Sequence, residues 1–192
     1  WFKRDLRLAD HAPLVEAYGA EDDVLCLYID EPERANQPDV SALHLAWDLA
    51  NARSLARSIN ELGGTVQLVT GEPTEVLSAI HQKCPITCLY SHQETGLMWS
   101  WERDKRVQRW CDINGIVWHQ CPSNGVVRAL LNRDRWNTLR NRRMVMPVLA
   151  APGSLPAHTS LDAVDSVSNI RDHHDLVDTP LEAGERAAHA WL

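Results

Sequence analysis

Three charged clusters follow short apolar runs in this chain: Lys3-Arg4-Asp5-Leu6-Arg7, Asp30-Glu31-Pro32-Glu33 and Ser91-His92-Gln93-Glu94-Thr95-Gly96. They supply guanidinium, carboxylate and amide groups, which together can hold a polar ligand through charge-assisted hydrogen bonds. Charged loops are also commonly just solvated, and Arg/Asp pairs often pin one loop to another, so residue type alone leaves both readings open. Other chemistries find no matching pattern. No G-x-G-x-x-G follows the first apolar residues, which disfavours the usual dinucleotide site, and no Walker loop, G-x-S-x-G or H-E-x-x-H is present. His173-His174 has no further ligand cluster close in sequence, which makes a poor metal site. The five cysteines, Cys26, Cys84, Cys88, Cys111 and Cys121, include no C-x-x-C pair. Neither a disulfide framework nor structural zinc is expected, and a reducing cytosol fits best.

The clusters need elements to position them. Val24–Ile29, Thr65–Val69, Ile86–Tyr90 and Ile116–His119 are brief, apolar and rich in β-branched or aromatic residues, as buried strands are. Helical patterns lie between them. In Ser41–Leu62 the residues Leu45, Leu49, Ala52, Leu55, Ala56, Ile59 and Leu62 recur at spacings of three and four, with Gly63-Gly64 as the stop. A second helix starts near Pro73, a third spans Leu97–Asn114, and Pro13 marks the start of a first. In the third, the run Glu102–Arg106 reads as a solvated face with a Glu102/Arg106 pair at i, i+4.

Strands alternating with helices predict an α/β fold, a doubly wound parallel sheet covered on both faces. Trp1-Phe2 reads as the end of a first, central strand whose beginning lies outside this chain. The expected order is then 3-2-1-4-5 over five strands. Ligands of such sheets bind beyond the carboxyl ends of the strands where the order reverses, and the three charged clusters fall there. The sheet is followed by a strongly basic stretch, Asn132–Met144, then a Pro- and Ser-containing connector to Pro180, then a new amphipathic start at Leu181.

The 192 residues carry a net charge of -7, which argues against a nucleic-acid grip by this segment alone. The basic run Arg133, Arg135, Arg140, Arg142 and Arg143 fits a solvated helix face or a domain interface better than a DNA contact. No apolar run approaches the roughly 20 residues that cross a bilayer. Eight tryptophans stand against one Phe and three Tyr, and read as core and interface fillers.

WFKRDLRLADHAPL closely resembles the opening of the DNA photolyase and cryptochrome family, typically W-F-R-R-D-L-R-L-x-D-N-x-A-L, with Lys3 and Asp10-His11 as departures. Ser91–Cys111 resembles that family's second landmark, an acidic loop before a helix carrying R-D. Ile116–Met144 resembles its bacterial branch, and LEAGERAAHAWL resembles the G-G-E-x-A-A-x-x-x-L stretch that opens the helical, flavin-binding half. The resemblance implies an α/β antenna domain over 1–131, a basic helix and connector over 132–180, and the start of an all-α FAD domain over 181–192. It implies that FAD, the electron-relay tryptophans and the lesion contacts belong to a half outside this chain, so no catalytic residue is assigned here. The implied whole-protein activity is light-driven splitting of pyrimidine dimers flipped out of DNA. The alternatives are a cryptochrome photoreceptor without repair and a stand-alone nucleotide- or flavin-binding module. In deazaflavin-type members of the family an antenna pigment sits near the positions matching Arg4, Asp30 and Glu94. A deazaflavin, flavin or folate is thus implied, although the folate contacts of some relatives fall near Trp99 and Ser100 and do not match.

Overall fold

The structure, a computed structural model, describes residues 1–156 and 181–191. The connector's His173-His174 lies outside the described residues. Chain order is α1 (Ala12–Ala20), β1 (Cys26–Asp30), α2 (Pro32–Ala35), α3 (Ala42–Glu61), β2 (Val66–Thr70), α4 (Pro73–Lys83), β3 (Cys88–His92), α5 (Met98–Asn114), β4 (Val117–Cys121), a 3-10 turn at Arg133–Arg135, α6 (Trp136–Met144) and α7 (Glu185–Trp191). No helix among the described residues is long and apolar enough to cross a membrane.

Local chemistry accounts for the boundaries. His11 caps α1 by accepting the Leu14 amide on Nδ1 at 3.1 Å, and Pro13 sits in the first turn. Ser41 and His44 cap α3 reciprocally. Glu72 accepts the Thr74 and Glu75 amides at the start of α4. Gly115, at φ +69°, takes the left-handed turn that ends α5. Each strand runs one or two residues further toward its carboxyl end than the apolar stretch that foretold it. Apolarity marks burial, whereas the backbone ladder continues into Asp30, Thr70, His92 and Cys121 at the rim. The four-residue α2 carries no sequence periodicity and was not foreseen.

The strands pair in parallel, β1 with β2 and β3 with β4. In place of one continuous sheet, the described residues form two two-stranded sheets with Trp1-Phe2 between them. The Phe2 amide donates to the Leu27 carbonyl at 2.8 Å, and the Trp1 nitrogen donates to the Tyr90 carbonyl at 2.8 Å. Phe2 makes a parallel bridge with Tyr28. Two residues are too few to fill the gap between β1 and β3 with a ladder.

Side chains alternate across the strands and build two cores. Trp1, Leu27, Ile29, Val69 and Leu89 pack with Val76, Leu77 and Ile80 of α4 and Val107 and Cys111 of α5. Phe2, Cys26, Tyr28 and Val66 pack with Leu14 of α1 and Ala52, Leu55 and Ile59 of α3. The second core is closed by Leu155, fully buried and tied by its amide to the Leu62 carbonyl at 2.9 Å. Replacing Leu155 by Ala should lower the unfolding free energy by about 2–4 kcal/mol in urea denaturation, the range for an emptied core leucine site. A loss under 1 kcal/mol would show that the returning strap adds little to the core.

Candidate functional site

The carboxyl ends of β1 and β3 and the loop after Phe2 meet on one rim, and α5 starts beside them. The helical period sets Arg103, Val107 and Cys111 on one face, and Arg103 and Asp104 are buried with that face. This overturns the solvated reading of Glu102–Arg106. Glu102 pairs with Lys105 at 2.6 Å, while Arg106 reaches out to Glu33 at 2.7 Å and Glu72 at 3.4 Å.

A buried guanidinium needs carboxylates, and three segments provide them. Arg103 contacts Glu31 Oε1 at 2.5 Å, Asp104 Oδ1 at 2.9 Å and Glu94 Oε2 at 3.6 Å. Lys3 adds a second buried cation, 3.3 Å from Asp104 and donating to the His92 carbonyl at 3.1 Å. Burial pulls the Lys3 amine down to about 8, against the opposing pull of Asp104. Tryptophans brace these cations. Arg103 lies 5.0 Å from the Trp1 ring centre and 5.5 Å from that of Trp99, and Lys3 lies 4.6 Å from Trp1 and 5.2 Å from Trp118. Arg128 stands 4.3 Å over Trp101. Part of the tryptophan excess therefore serves the rim rather than the apolar core.

Asp5 anchors the first loop. Its Oδ2 takes His92 Nδ1 at 2.5 Å and His11 Nε2 at 2.9 Å, and its Oδ1 accepts the Lys3 amide at 2.7 Å. Burial works against the charged form, but the two histidine donors outweigh it and hold Asp5 well below the usual carboxylate range. The ligating atoms of Asp5, His11 and His92 lie within 4.8 Å of one another, the spacing of a metal trio. The helix cap opposes that use. His11 Nδ1 accepts the Leu14 amide, so the neutral ring carries its proton on Nε2 and offers Asp5 a donor, not a lone pair.

Arg4, Asp30 and Glu94 are brought together, lining one cavity with Glu31, Trp99 and Arg103. Arg4 is ion-paired with Glu94, whose Oε1 also accepts the Thr95 and Gly96 amides at 2.9 Å each. A Cβ at Gly96 would stand 2.5 Å from the Arg4 guanidinium, so a side chain there would displace the end of the half-exposed Arg4. The cavity measures about 20 Å³, room for little more than a water. It adjoins a second of about 190 Å³ walled by Arg4, Arg34, His44, Leu97, Trp99 and Ser100. Glu31 Oε2 is buried with no hydrogen-bond partner. Arg4, with its side chain about half exposed, borders both. The two cavities thus share the Arg4 and Arg34 guanidinium groups and the Trp99 ring, with the His44 imidazole on the larger and the unpartnered Glu31 oxygen on the smaller.

The sequence reading placed the three loops correctly but missed Lys3, Glu31, His92, Arg103 and Asp104 as a network. The signal was available for α5, since Arg103 shares a four-residue spacing with two apolar positions. The pairings with Lys3 and Glu31 bridge sequence separations that no local pattern carries.

The family model described as DNA photolyase matches residues 1–131. The chloroplastic/mitochondrial cryptochrome DASH of Oryza sativa subsp. japonica is 28% identical over 102 residues, covering 50% of this chain and 18% of that protein. Among solved structures, an archaeal photolyase from Sulfolobus tokodaii with two FAD molecules matches 99% of the chain and 44% of its own, at TM-score 0.74 and 21% identity. A class III photolyase from Agrobacterium tumefaciens matches 99% and 42%, at TM-score 0.78 and 19% identity. These two likenesses show the fold. The chain spans less than half the length of each of the three proteins.

Burial raises Glu31 to about 7, with Arg103 pulling the other way. The folded chain thus holds a proton that the unfolded chain releases from about 4.5 upward, so this carboxyl makes stability fall as pH rises through 4.5 to 7. Glu31→Gln removes that slope. Relative to the wild type, the variant should gain on the order of 2 kcal/mol between pH 4.5 and pH 8 in urea denaturation. Parallel pH profiles would show that Glu31 titrates normally.

Proposed function

Because the chain belongs to the DNA photolyase family, we propose that it is the antenna-domain portion of a light-dependent flavoprotein that repairs pyrimidine dimers in DNA. The observation that supports this most is the convergence of Arg4, Asp30 and Glu94 on one crevice with the unpartnered Glu31 oxygen beside them. Residues 1–131 form the light-collecting unit, 132–180 the basic helix and connector, and 181–192 the entry into a helical FAD-binding half that carries out the repair. When bound, an antenna chromophore supplies absorption of blue or near-ultraviolet light and passes on the excitation energy. The chain's part is to hold it. Arg4, on releasing Glu94, would pair with an acidic or carbonyl edge, and Glu31 and Asp30 would accept hydrogen bonds from ring N–H groups. Trp99 offers a stacking face, and the Arg103 cluster keeps the floor rigid and dry. A deazaflavin, flavin or folate each presents such edges.

The second reading is a cryptochrome photoreceptor that does not repair; the Oryza sativa relative carries the name cryptochrome. Irradiating dimer-containing DNA with the full-length protein separates the two. Light-dependent loss of dimers is expected, and persistent dimers with light-dependent partner binding would establish the photoreceptor. Neither effect, with saturable flavin or nucleotide binding, would leave a stand-alone binding module. In the same preparation, Arg4→Ala should lower the antenna pigment's affinity about tenfold, read from near-ultraviolet absorbance, since a charged hydrogen bond is worth roughly 1.5–3 kcal/mol. Undiminished pigment would place it elsewhere.

The same reading includes a five-stranded sheet of order 3-2-1-4-5, with Trp1-Phe2 at the end of its central strand. Its support is the hydrogen bonding of these two residues to both sheets, and an apolar cavity of about 150 Å³ behind them between Leu27 and Leu89. Four or five apolar β-formers added before Trp1 should raise the melting temperature by several degrees, and a Gly/Ser extension of equal length should not. Equal melting temperatures would count against the central strand.

A further inference from the structure

The loop that carries Arg4 and Asp5 is gripped a second time, from outside. Glu185, the first residue of α7, sends its carboxylate into the successive amides of Leu8 and Ala9, with Oε2 to Leu8 N at 2.8 Å and Oε1 to Ala9 N at 3.0 Å. Two adjacent amides aimed at one carboxylate form a concave anion receptor, and both bonds are charge-assisted. The approach is built for it. Gly184 sits at φ +114°, a Cβ there would overlap Ser54, and its amide donates to Asn51 Oδ1 at 2.9 Å. Arg186 pairs with Glu61 on α3. The loop has little slack beyond this, since Asp10 is tied to Leu149 by a backbone bond of 2.8 Å and Arg7 to the Ala9 and Asp10 carbonyls.

The loop therefore joins two ends. At one, Glu185 holds Leu8 and Ala9. At the other, Asp5 fixes His92 and Arg4 holds Glu94, which in turn holds the Thr95 and Gly96 amides. We propose that Glu185 is a positioning residue for the crevice: by seating its carboxylate on the Leu8-Ala9 amides it couples docking of the helical segment to the placement of Arg4 against Glu94. The coupling is reciprocal, so a ligand that settles Arg4 strengthens the docking of α7, and release of α7 loosens the crevice. The ligand arm of this inference rests on the crevice reading above, whereas the mechanical arm stands on the hydrogen bonds alone.

Amide hydrogen exchange on the full chain tests it. Glu185→Ala should speed exchange at Leu8 and Ala9 by tenfold or more and at Thr95 and Gly96 by about threefold or more, with Val69 of β2 unchanged. Adding acetate, a small carboxylate able to fill the vacated receptor, should restore much of the protection at all four. Glu185→Gln, which keeps one acceptor oxygen, should give an intermediate result. A change confined to Leu8 and Ala9, or an equal rise at Val69, would overturn the coupling. In parallel, FMN is titrated as the crevice probe, with an expected affinity loss of about threefold or more in Glu185→Ala. Failure of the wild-type chain to bind FMN would count against the crevice reading and leave the exchange result to decide the coupling. Equal FMN affinity in both chains would overturn the coupling while sparing the crevice.

Discussion

Burying the Arg103 guanidinium at the carboxyl ends of parallel strands is the constraint from which the rest of the site follows. An uncompensated charge there would cost several kcal/mol, so Glu31 from the loop after β1, Glu94 from the loop after β3 and Asp104 from α5 itself must all reach it. The loop after β1 is thereby fixed to the segment from β3 into α5, 72 residues apart at the Arg103–Glu31 contact, and the strand-end loops cannot drift apart without leaving a charge unpaired. Arg103 also touches two tryptophan rings, which places its cation among flat apolar surfaces instead of water. Such a cluster is weak evidence for stability and better evidence for geometry, because each partner narrows where the others can sit.

The second constraint is Asp5, which gathers its own loop and two histidines. His11 serves twice, as the cap of α1 through Nδ1 and as a partner of Asp5 through Nε2. This explains how His can stand where the family usually has Asn, since both side chains offer an acceptor to the helix amides. Lys3 in place of Arg is accommodated because its ammonium needs only Asp104 and the His92 carbonyl, with Trp1 and Trp118 against it. The two departures from the family pattern thus lie inside the networks that organise the rim.

Much of the fold was legible in the chain because it rests on local rules. The stripe through Leu49, Ala52, Leu55 and Ile59 is buried as its spacing implies, and Pro13, Pro73 and Gly115 stand where helices begin or end. The meeting of the charged loops on one rim was legible too, since parallel strands put their carboxyl-end loops on one side. What remained hidden was pairing across long separations. Glu102–Arg106 looked like a solvated run because charge was read without phase, and counting from Val107 and Cys111 places Arg103 inward. No local count could reveal that Glu31 is left with a free oxygen, or that Glu185 crosses more than 170 residues to hold Leu8 and Ala9. Those facts come from the tertiary fold.

The convergence on Arg103 is tested most directly by a double-mutant cycle between Arg103→Met and Glu31→Gln, read by urea denaturation at pH 8. If the two groups share one buried network, the double variant should be less destabilised than the sum of the single variants, by about 2 kcal/mol. Additivity to within about 0.5 kcal/mol would mean that the two act independently, and the account of the rim built on their pairing would be contradicted.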